Sequence, residues 1–600
     1  MNHNAVDNGT SESEHVGQPE APTETAPLIA SRSDENTCSP RDGSPTLSAS
    51  APGVACIESF SSRLTPADRV FVFVGILIIG WSYGLDGLVR YTYQSYAASS
   101  LGVHTLLSTI NVLRSVISAA VYTPAAKLAD VAGRFELIAV SVAFYIIGTV
   151  IESTATSIHA FIAGAILYQI GYTCVVLLVE VIIADISSMR SRVFFSYIPA
   201  VPFLVNTWIS GNLTSAVLKT ADWRWGIGMW SFIYAISAAP LLISLYKTGR
   251  HGKAGERRTD RSPFQLQTLF RKYMEICHQL DVVGIGLMVA ILTLILTPLT
   301  IAEGEVSKWR NPIIIVPLVM GGLCVPVFVY WETYKARYPF VPGHLLKDRG
   351  VGSALAVRCL LNFAWAVQGN YLYTVLIVAF DFSITVSTQI STFFTFFGVV
   401  SGLIVGVVIF KIRRLKYFIV AGTCLFLASF GLMITFNSGT SHSAKLGIIG
   451  AQLLLGVAAG FCAYPTQASI QAATKHEHVS GITGLYLATF NIGNAFGTSA
   501  SGVIWSKNLL PTLESNLAFQ PNKALAQEIY QSPFDVVPSY PVGTEIRSAI
   551  ISSYGDIERL LCVTGLFLCV PMIGFALAAR NPKLSAQQSQ PEAERGDMEQ

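Results

Sequence analysis

From Val70 onward, apolar stretches long enough to cross a bilayer recur along the chain. A helix needs roughly 20 mostly apolar residues to span the hydrocarbon core. About fourteen windows meet that length, near 68–89, 104–128, 136–156, 159–184, 193–218, 225–246, 281–302, 312–331, 352–378, 386–410, 417–437, 445–472, 480–506 and 557–580. Inside lipid every backbone N–H and C=O must be satisfied internally, so spanning segments are helices or closed barrels. Windows of this length predict helices. The expected fold is an all-α polytopic membrane protein with 14 transmembrane helices, two six-helix bundles plus a central inserted pair.

Composition agrees. The chain is 52% hydrophobic and 13% charged, against about 25% charged in soluble domains. Mean hydropathy is +0.50. This excludes a soluble enzyme or a disordered scaffold, and a net charge of +3 leaves no basic footprint for nucleic acid. Cys174, Cys324, Cys359, Cys424, Cys462, Cys562 and Cys569 lie in apolar stretches, where cysteine behaves as a small hydrophobe. With no CxxC pair, neither a zinc site nor a disulfide framework is expected. The acidic segment ahead of the first window does not read as a cleavable signal peptide.

The organisation expected is a disordered cytoplasmic tail over 1–66, a first bundle over 67–246, a basic cytoplasmic linker over 247–280, an inserted helix pair over 281–350, a second bundle over 351–580 with a long outer loop over 507–556, and a second tail over 581–600. With both ends inside, roughly 22 Lys and Arg flank the inner ends and about 10 the outer ends, the asymmetry that sets orientation. The loops at 126–134 and 406–414 each place a small residue on a helix and a basic residue eight positions later. Weak internal repetition of this kind marks secondary transporters.

Ionisable residues inside spans are functional candidates, since each costs at least ~2.5–3.5 kcal/mol at the bilayer centre. Asp86, Arg114, Glu152, Glu180 and Arg358 qualify. Glu180 is the leading candidate for a proton-coupling acid and Asp86 the second. Arg114 is suited to bind Glu180 or an anionic substrate group. Asp86 and Arg90 are four apart on one helix face, where a local pair forms easily. Glu152 is read as facing the outer headgroups. Amides and aromatics supply a second set: Tyr168, Gln169, Tyr172, Asn362, Trp365, Gln368, Tyr371, Gln389, Tyr464 and Asn491, with Gln467 and Asn494 beside them. Such groups suit a large, polar, weakly charged ligand; interhelical hydrogen bonds, worth about 0.6 kcal/mol each, are the plainer use of any one. Gly402 with Gly406, and Gly493 with Gly497, read as close helix contacts. His476 to His478 form HEH in a short loop, but adjacent residues point apart and no metal site is expected. The prolines and tyrosines of the outer loop suggest a constrained lid.

The segment PAAKLADVAGRFE, Pro124 to Glu136, resembles the inner-loop signature of the major facilitator superfamily, Gly-x-Leu-Ala-Asp-Arg-x-Gly-Arg-Arg. Leu128, Ala129, Asp130, Gly133 and Arg134 match, while Ala126, Val131 and Phe135 depart from it. With Asp185 and Arg192 of ADISSMRSR, Asp130 and Arg134 are expected to form a cytoplasmic gate latch; ordinary positive-inside anchors are the alternative. YGLDGLVRYTYQ (Tyr83 to Gln94), ADISSMRSR (Ala184 to Arg192) and DWRWGIGMW (Asp222 to Trp230) are similar to the fungal siderophore iron transporter family. So is YPVGT at Tyr540 to Thr544, followed by Arg547 and Tyr554.

That resemblance implies uptake of ferric siderophore, of hydroxamate or related type, driven by protons. The iron stays wrapped in its chelator, so neither a protein metal ligand nor a cofactor is expected. It further implies a monomer in a lipid bilayer, at the plasma membrane, with an endosomal or vacuolar membrane as the alternative. Drug–proton antiporters share the span number, but the fifth span, SYIPAVPFLVNTWISG, lacks their Gly-Pro-x-x-Gly-Gly motif. Glutathione–proton exchangers share more of these motifs and stay open as a reading.

Overall fold

The structure is a computed structural model that describes residues 66–100, 107–253, 281–301, 310–336, 348–474, 479–522, 524–531, 533–581 and 583–584; of Asp130 it describes the backbone alone. The amino-terminal tail, most of the basic linker and the HEH segment lie outside the described residues.

Short polar residues start the helices. Ser157 Oγ accepts from the Ala160 amide, Asp348 Oδ1 from Gly350, and Ser383, Ser441 and Thr544 cap in the same way. Each satisfies one of the orphan amides of a helix N-terminus. Gly133 separates two helices at φ 102°, a backbone setting that favours glycine.

In chain order the helices are α1 Pro66–Ser100, α2 Leu107–Ala132, α3 Arg134–Ser153, α4 Ile158–Ile186, α5 Met189–Ser196, α6 Phe203–Thr220, α7 Trp223–Lys253, α8 Val282–Ile301, α9 Pro312–Tyr330, α10 Arg349–Gly369, α11 Leu372–Val378, α12 Ile384–Ile412, α13 Lys416–Thr435, α14 His442–Ala472, α15 Val479–Asn516, α16 Leu525–Gln531, α17 Pro533–Val536 and α18 Glu545–Ala578. A 3₁₀ turn at Ile198–Ala200 links α5 to α6. Residues Asn370 and Tyr371 interrupt the ninth window between α10 and α11.

The described residues contain 11 helices long and apolar enough to cross a membrane. The windows on α2, α8 and α15 fall outside that number. Helix α8 is apolar throughout Val282–Pro298, where its described side chains end, while α2 carries Arg114 and Lys127, and α15 is rich in Gly, Ser, Thr and Asn. These three pack on one another. Of the three, the more polar α2 and α15 are largely buried, and helices enclosed by protein need less apolar surface than helices facing lipid.

An amino-terminal group forms as α3 packs on α4 and α7, and α1 on α6 and α7; a carboxy-terminal group forms as α10, α13, α14 and α15 pack among themselves and against α12 and α18. Val72, Ile138, Val179 and Tyr234 sit in the first core; Leu361, Phe426, Leu455 and Leu561 sit in the second. A third cluster joins the groups, with Tyr122, Leu177 and Val181 against Ala354, Ile482 and Tyr486. Helix α9 is mostly exposed, with Ile313, Val316, Val319 and Leu323 on its surface. In water such a patch would be a liability; in lipid it is solvated.

Candidate functional site

Glu180 sits on α4, and 5% of its surface is exposed. Both of its oxygens are met from α14, on the other helix group. The Tyr464 hydroxyl donates to Oε1 at 2.9 Å and Gln467 Nε2 donates to Oε2 at 3.1 Å. A carboxylate kept from water needs such donors, because an unpaired buried charge is costly. Arg358 of α10 is a cation that influences it through space. Among the described residues Arg114 makes no hydrogen bond to Glu180. Its Nη1 donates to Gln94 Oε1 at 2.7 Å.

That bond opens a second polar assembly, between α1 and α3. Arg90 Nε donates to Asp86 Oδ1 at 2.9 Å, and its Nη1 to Glu152 Oε2 at 2.7 Å. Its Nη2 donates to Thr149 Oγ1 at 3.2 Å. Gln94 Nε2 donates to Glu152 Oε1 at 2.7 Å, and the Tyr145 hydroxyl donates to Asp86. The Arg90 guanidinium lies 3.8 Å from the Tyr168 ring centre, a cation–π contact. Asp86, Gln94 and Glu152 are fully buried and Arg90 is 1% exposed. Glu152 therefore does not face headgroups. The Asp86–Arg90 pair is one link of a chain that continues through Glu152 and Gln94 to Arg114.

Toward the ends where α4 and α14 finish, bonds within the amino-terminal group lie beside contacts between the two groups. Arg134 Nε stands 3.4 Å from Asp185 Oδ2. Arg192, 1% exposed, donates from Nη2 to the Ala184 carbonyl at 3.0 Å. Arg190 crosses to the Phe410 carbonyl at 2.8 Å and lies 4.0 Å over that ring. The Tyr197 hydroxyl donates to the Gly460 carbonyl at 2.7 Å, and Ser480 Oγ to the Ala126 carbonyl at 3.1 Å. A Cβ on Gly406 would lie 2.9 Å from Phe194 Cα, and one on Gly484 2.8 Å from the Tyr122 oxygen. Small residues let the helices approach here. Nearer the middle, Asn494 Nδ2 donates to Ser115 Oγ at 3.1 Å.

The other polar candidates divide. Gln169 donates to Ser118 at 2.8 Å, and Tyr172 packs edge-on to Tyr83. Trp365 stacks on Phe394, and Tyr371 on Trp505. Gln389 is half-buried near the start of α12. Gln368, 1% exposed, accepts from Gln452 at 3.0 Å inside the carboxy-terminal group. Asn362 and Asn491 each donate to a carbonyl of their own helix, of Arg358 and Leu487. Those three are satisfied within their own helix group.

At the opposite end, α15 runs on to Asn516 and α18 begins at Glu545, so the connection occupies 517–544. Leu525, Ile529 and Val537 are buried in the carboxy-terminal core, with Tyr540 packed against it. Arg547, 3% exposed, ties the connection down, donating to the Val537 carbonyl at 3.3 Å and pairing with Asp381 at 3.1 Å. Tyr554 is fully buried on α18, against Trp505.

Comparison with known proteins places this architecture. Residues 70–498 match the Major Facilitator Superfamily. Siderophore iron transporter 1 of Saccharomyces cerevisiae is 41% identical, the match covering 91% of this chain and 88% of that one. The chain belongs to the fungal siderophore iron transporter family of the major facilitator superfamily. Siderophore iron transporter mirC of Emericella nidulans is 31% identical over 89% of this chain and 87% of its own. Among solved structures, a peptide transporter of the POT group in complex with sulfate superposes with a TM-score of 0.52 at 14% identity, covering 87% of this chain and 99% of that chain. That likeness speaks to the fold. Members of the family are membrane transporters and not enzymes.

In this carrier the residues that the motifs singled out, Asp185, Arg192 and Arg134, and the one that burial cost singled out, Glu180, all make the polar contacts given above. What sequence reasoning missed was the hub role of Arg90, with Gln94 and Glu152, and the crossing contacts of Arg190 and Tyr197. A signal for the hub was present: Asp86, Arg90 and Gln94 are spaced four apart on α1, and Tyr145, Thr149 and Glu152 repeat at helical spacing on α3. Two polar stripes on neighbouring helices would satisfy one another.

Proposed function

We propose that this chain imports ferric siderophore together with protons by alternating access, as two six-helix bundles and an inserted pair making fourteen crossings. The bundles rock about a central site. The observation that carries the reading is Glu180: a buried carboxylate of one helix group whose hydrogen-bond donors, Tyr464 and Gln467, belong to the other. Opening the interface exposes the carboxylate and separates it from its donors. Its proton state is thereby tied to which side is open. One proton moving down about 100 mV supplies about 2.3 kcal/mol, enough for roughly 50-fold accumulation of a neutral cargo.

The relatives' printed names supply the cargo class. The half-buried aromatics Trp365, Tyr371 and Tyr172 and the amide of Gln389 suit a trihydroxamate, whose iron is already wrapped. Asp130, Arg134, Asp185 and Arg192 act as the cytoplasmic latch, and Tyr540 with the connection around it covers the outer mouth. The carrier works as a monomer at the plasma membrane.

The test is uptake of radioactive iron chelate by cells relying on this carrier. Glu180→Gln abolishes accumulation against a gradient and spares exchange of cargo across the membrane. Undiminished uphill uptake by that variant sinks the assignment. Export under an imposed pH gradient in loaded vesicles would favour an exchanger instead.

A further inference from the structure

Arg358 is a charged side chain at the bundle interface to which the transport scheme gives no task. It lies on α10, half-buried, with its guanidinium carbon 4.7 Å from the Phe490 ring centre and 5.1 Å from that of Tyr486, both on α15. The Tyr486 hydroxyl is engaged by the Ala463 carbonyl at 2.5 Å, which fixes one wall. Nε of Arg358 is buried with no hydrogen-bond partner. Among the described residues no acceptor is bonded to its terminal nitrogens. This differs from Arg90, whose nitrogens are taken by Asp86, Glu152 and Thr149. An arginine braced on two rings, with donors left over at a polar interface, is built to meet something else.

Glu180 is the facing anion, and it does not bond Arg358 directly, because Tyr464 and Gln467 hold its oxygens. The groups acting on Glu180 are Tyr464, Gln467 and Arg358; Tyr83, Tyr122 and Tyr486 in turn lie within its electrostatic reach. The phenols are neutral at ordinary pH, so Arg358 is the cation of the set.

We propose that Arg358 is a cargo-binding residue, donating its free guanidinium hydrogens to the oxygen atoms wrapped around the iron of a ferric chelate. This rests on the reading of Glu180 as the coupling acid. Chelation gathers the ligand's oxygens into one electron-rich cluster; the iron-free ligand has no such cluster. While Glu180 is charged, its field offsets the charge that Arg358 presents to the cargo. Once it carries a proton, that offset is gone and Arg358 acts on the cargo with its full charge. Binding therefore strengthens as pH falls, and cargo and proton enter together.

The probe is the gallium complex of a trihydroxamate, redox-inert and shaped like the ferric one, titrated onto the full-length carrier in lipid discs at mildly acidic and mildly alkaline pH. Arg358→Gln should weaken the complex by about tenfold or more, the scale of hydrogen bonds from a charged donor. It should change the weak affinity for the metal-free ligand by less than about twofold and flatten the pH dependence. Arg358→Lys, which keeps the charge but loses the planar fork, should recover part of the affinity. Glu180→Gln should bind tightly at both pH values. If Arg358→Gln and Arg358→Lys both bind the complex as the parent does, the proposal is overturned. An equal loss for metal-loaded and metal-free ligand also overturns it, since that marks a structural role. Should Arg358→Gln not fold, Arg358→Lys alone decides, by whether its loss is confined to the metal complex. Failure of the Glu180 reading shows separately, as uphill uptake retained in Glu180→Gln.

Discussion

The hydroxyl of Tyr464 donates to Glu180 across 284 positions of sequence and from one helix group to the other, at 2.9 Å. Tyr464→Phe removes that donor and leaves Gln467 in place. A hydrogen bond to a charged acceptor is worth about 1.5–3 kcal/mol, so the closed interface should lose that much. Spin-label distances between α5 and α12 should shift toward separation. Gln467→Leu should act in the same direction, and the double variant should fall short of the sum, because both donors serve one carboxylate.

Arg90 neutralises Asp86 and Glu152 in a setting where all three are essentially buried. Removing one partner of a buried ion pair strands the other, at about 3–5 kcal/mol. Arg90→Ala should lower the thermal unfolding midpoint of the purified carrier well below that of Glu152→Gln, which removes a charge and keeps the shape. Arg224 and Asp222 form an exposed pair, with side chains 42% and 59% accessible. Breaking it through Asp222→Asn should cost about 1 kcal/mol or less.

Gly406 faces the backbone of Phe194, and a Cβ there would stand 2.9 Å from its Cα. Gly406→Val should wedge α12 from α5 at the end carrying Arg134 and Asp185. Accessibility of a reporter cysteine on α5 to a thiol reagent should rise, and affinity for cargo presented from outside should fall several-fold. Unchanged accessibility would refute the wedge. Gly431 is the control site, since a Cβ there would meet nothing within 4 Å.

Arg547 clamps the outer connection through Val537 and Asp381. Arg547→Ala should leave the helices standing and loosen 537–544, read as faster cleavage by an external protease and weaker cargo capture. Deleting the stretch from Tyr540 to Tyr554 would be a poor test. Tyr554 is a buried residue of α18, so that deletion damages the bundle itself.

Legibility differed by residue. Glu180 stood out because a carboxylate amid Val, Leu and Ile is expensive unless used. The inner loop stood out because Gly133 and the charges around it are a local pattern. Gln368 was less legible. Its amide looks like a cargo contact in sequence, yet Gln452 from another helix already occupies it. Glu152 was misread for the converse reason: its place near a helix end suggested headgroups, while Arg90 and Gln94 draw it inward.

By itself the sequence determined the helical class, the membrane as solvent and the family. Those follow from segment length, apolarity and short motifs, which are local, and from the demand that backbone groups in lipid bond within their own helix. Tertiary structure decided which polar side chains face one another. Helices apolar on nearly every side carry little rotational signal, so their facing sides are set by packing against neighbours far away in the chain. Arg358 meeting the field of Glu180, and Arg90 joining two carboxylates, exist only once that packing has formed.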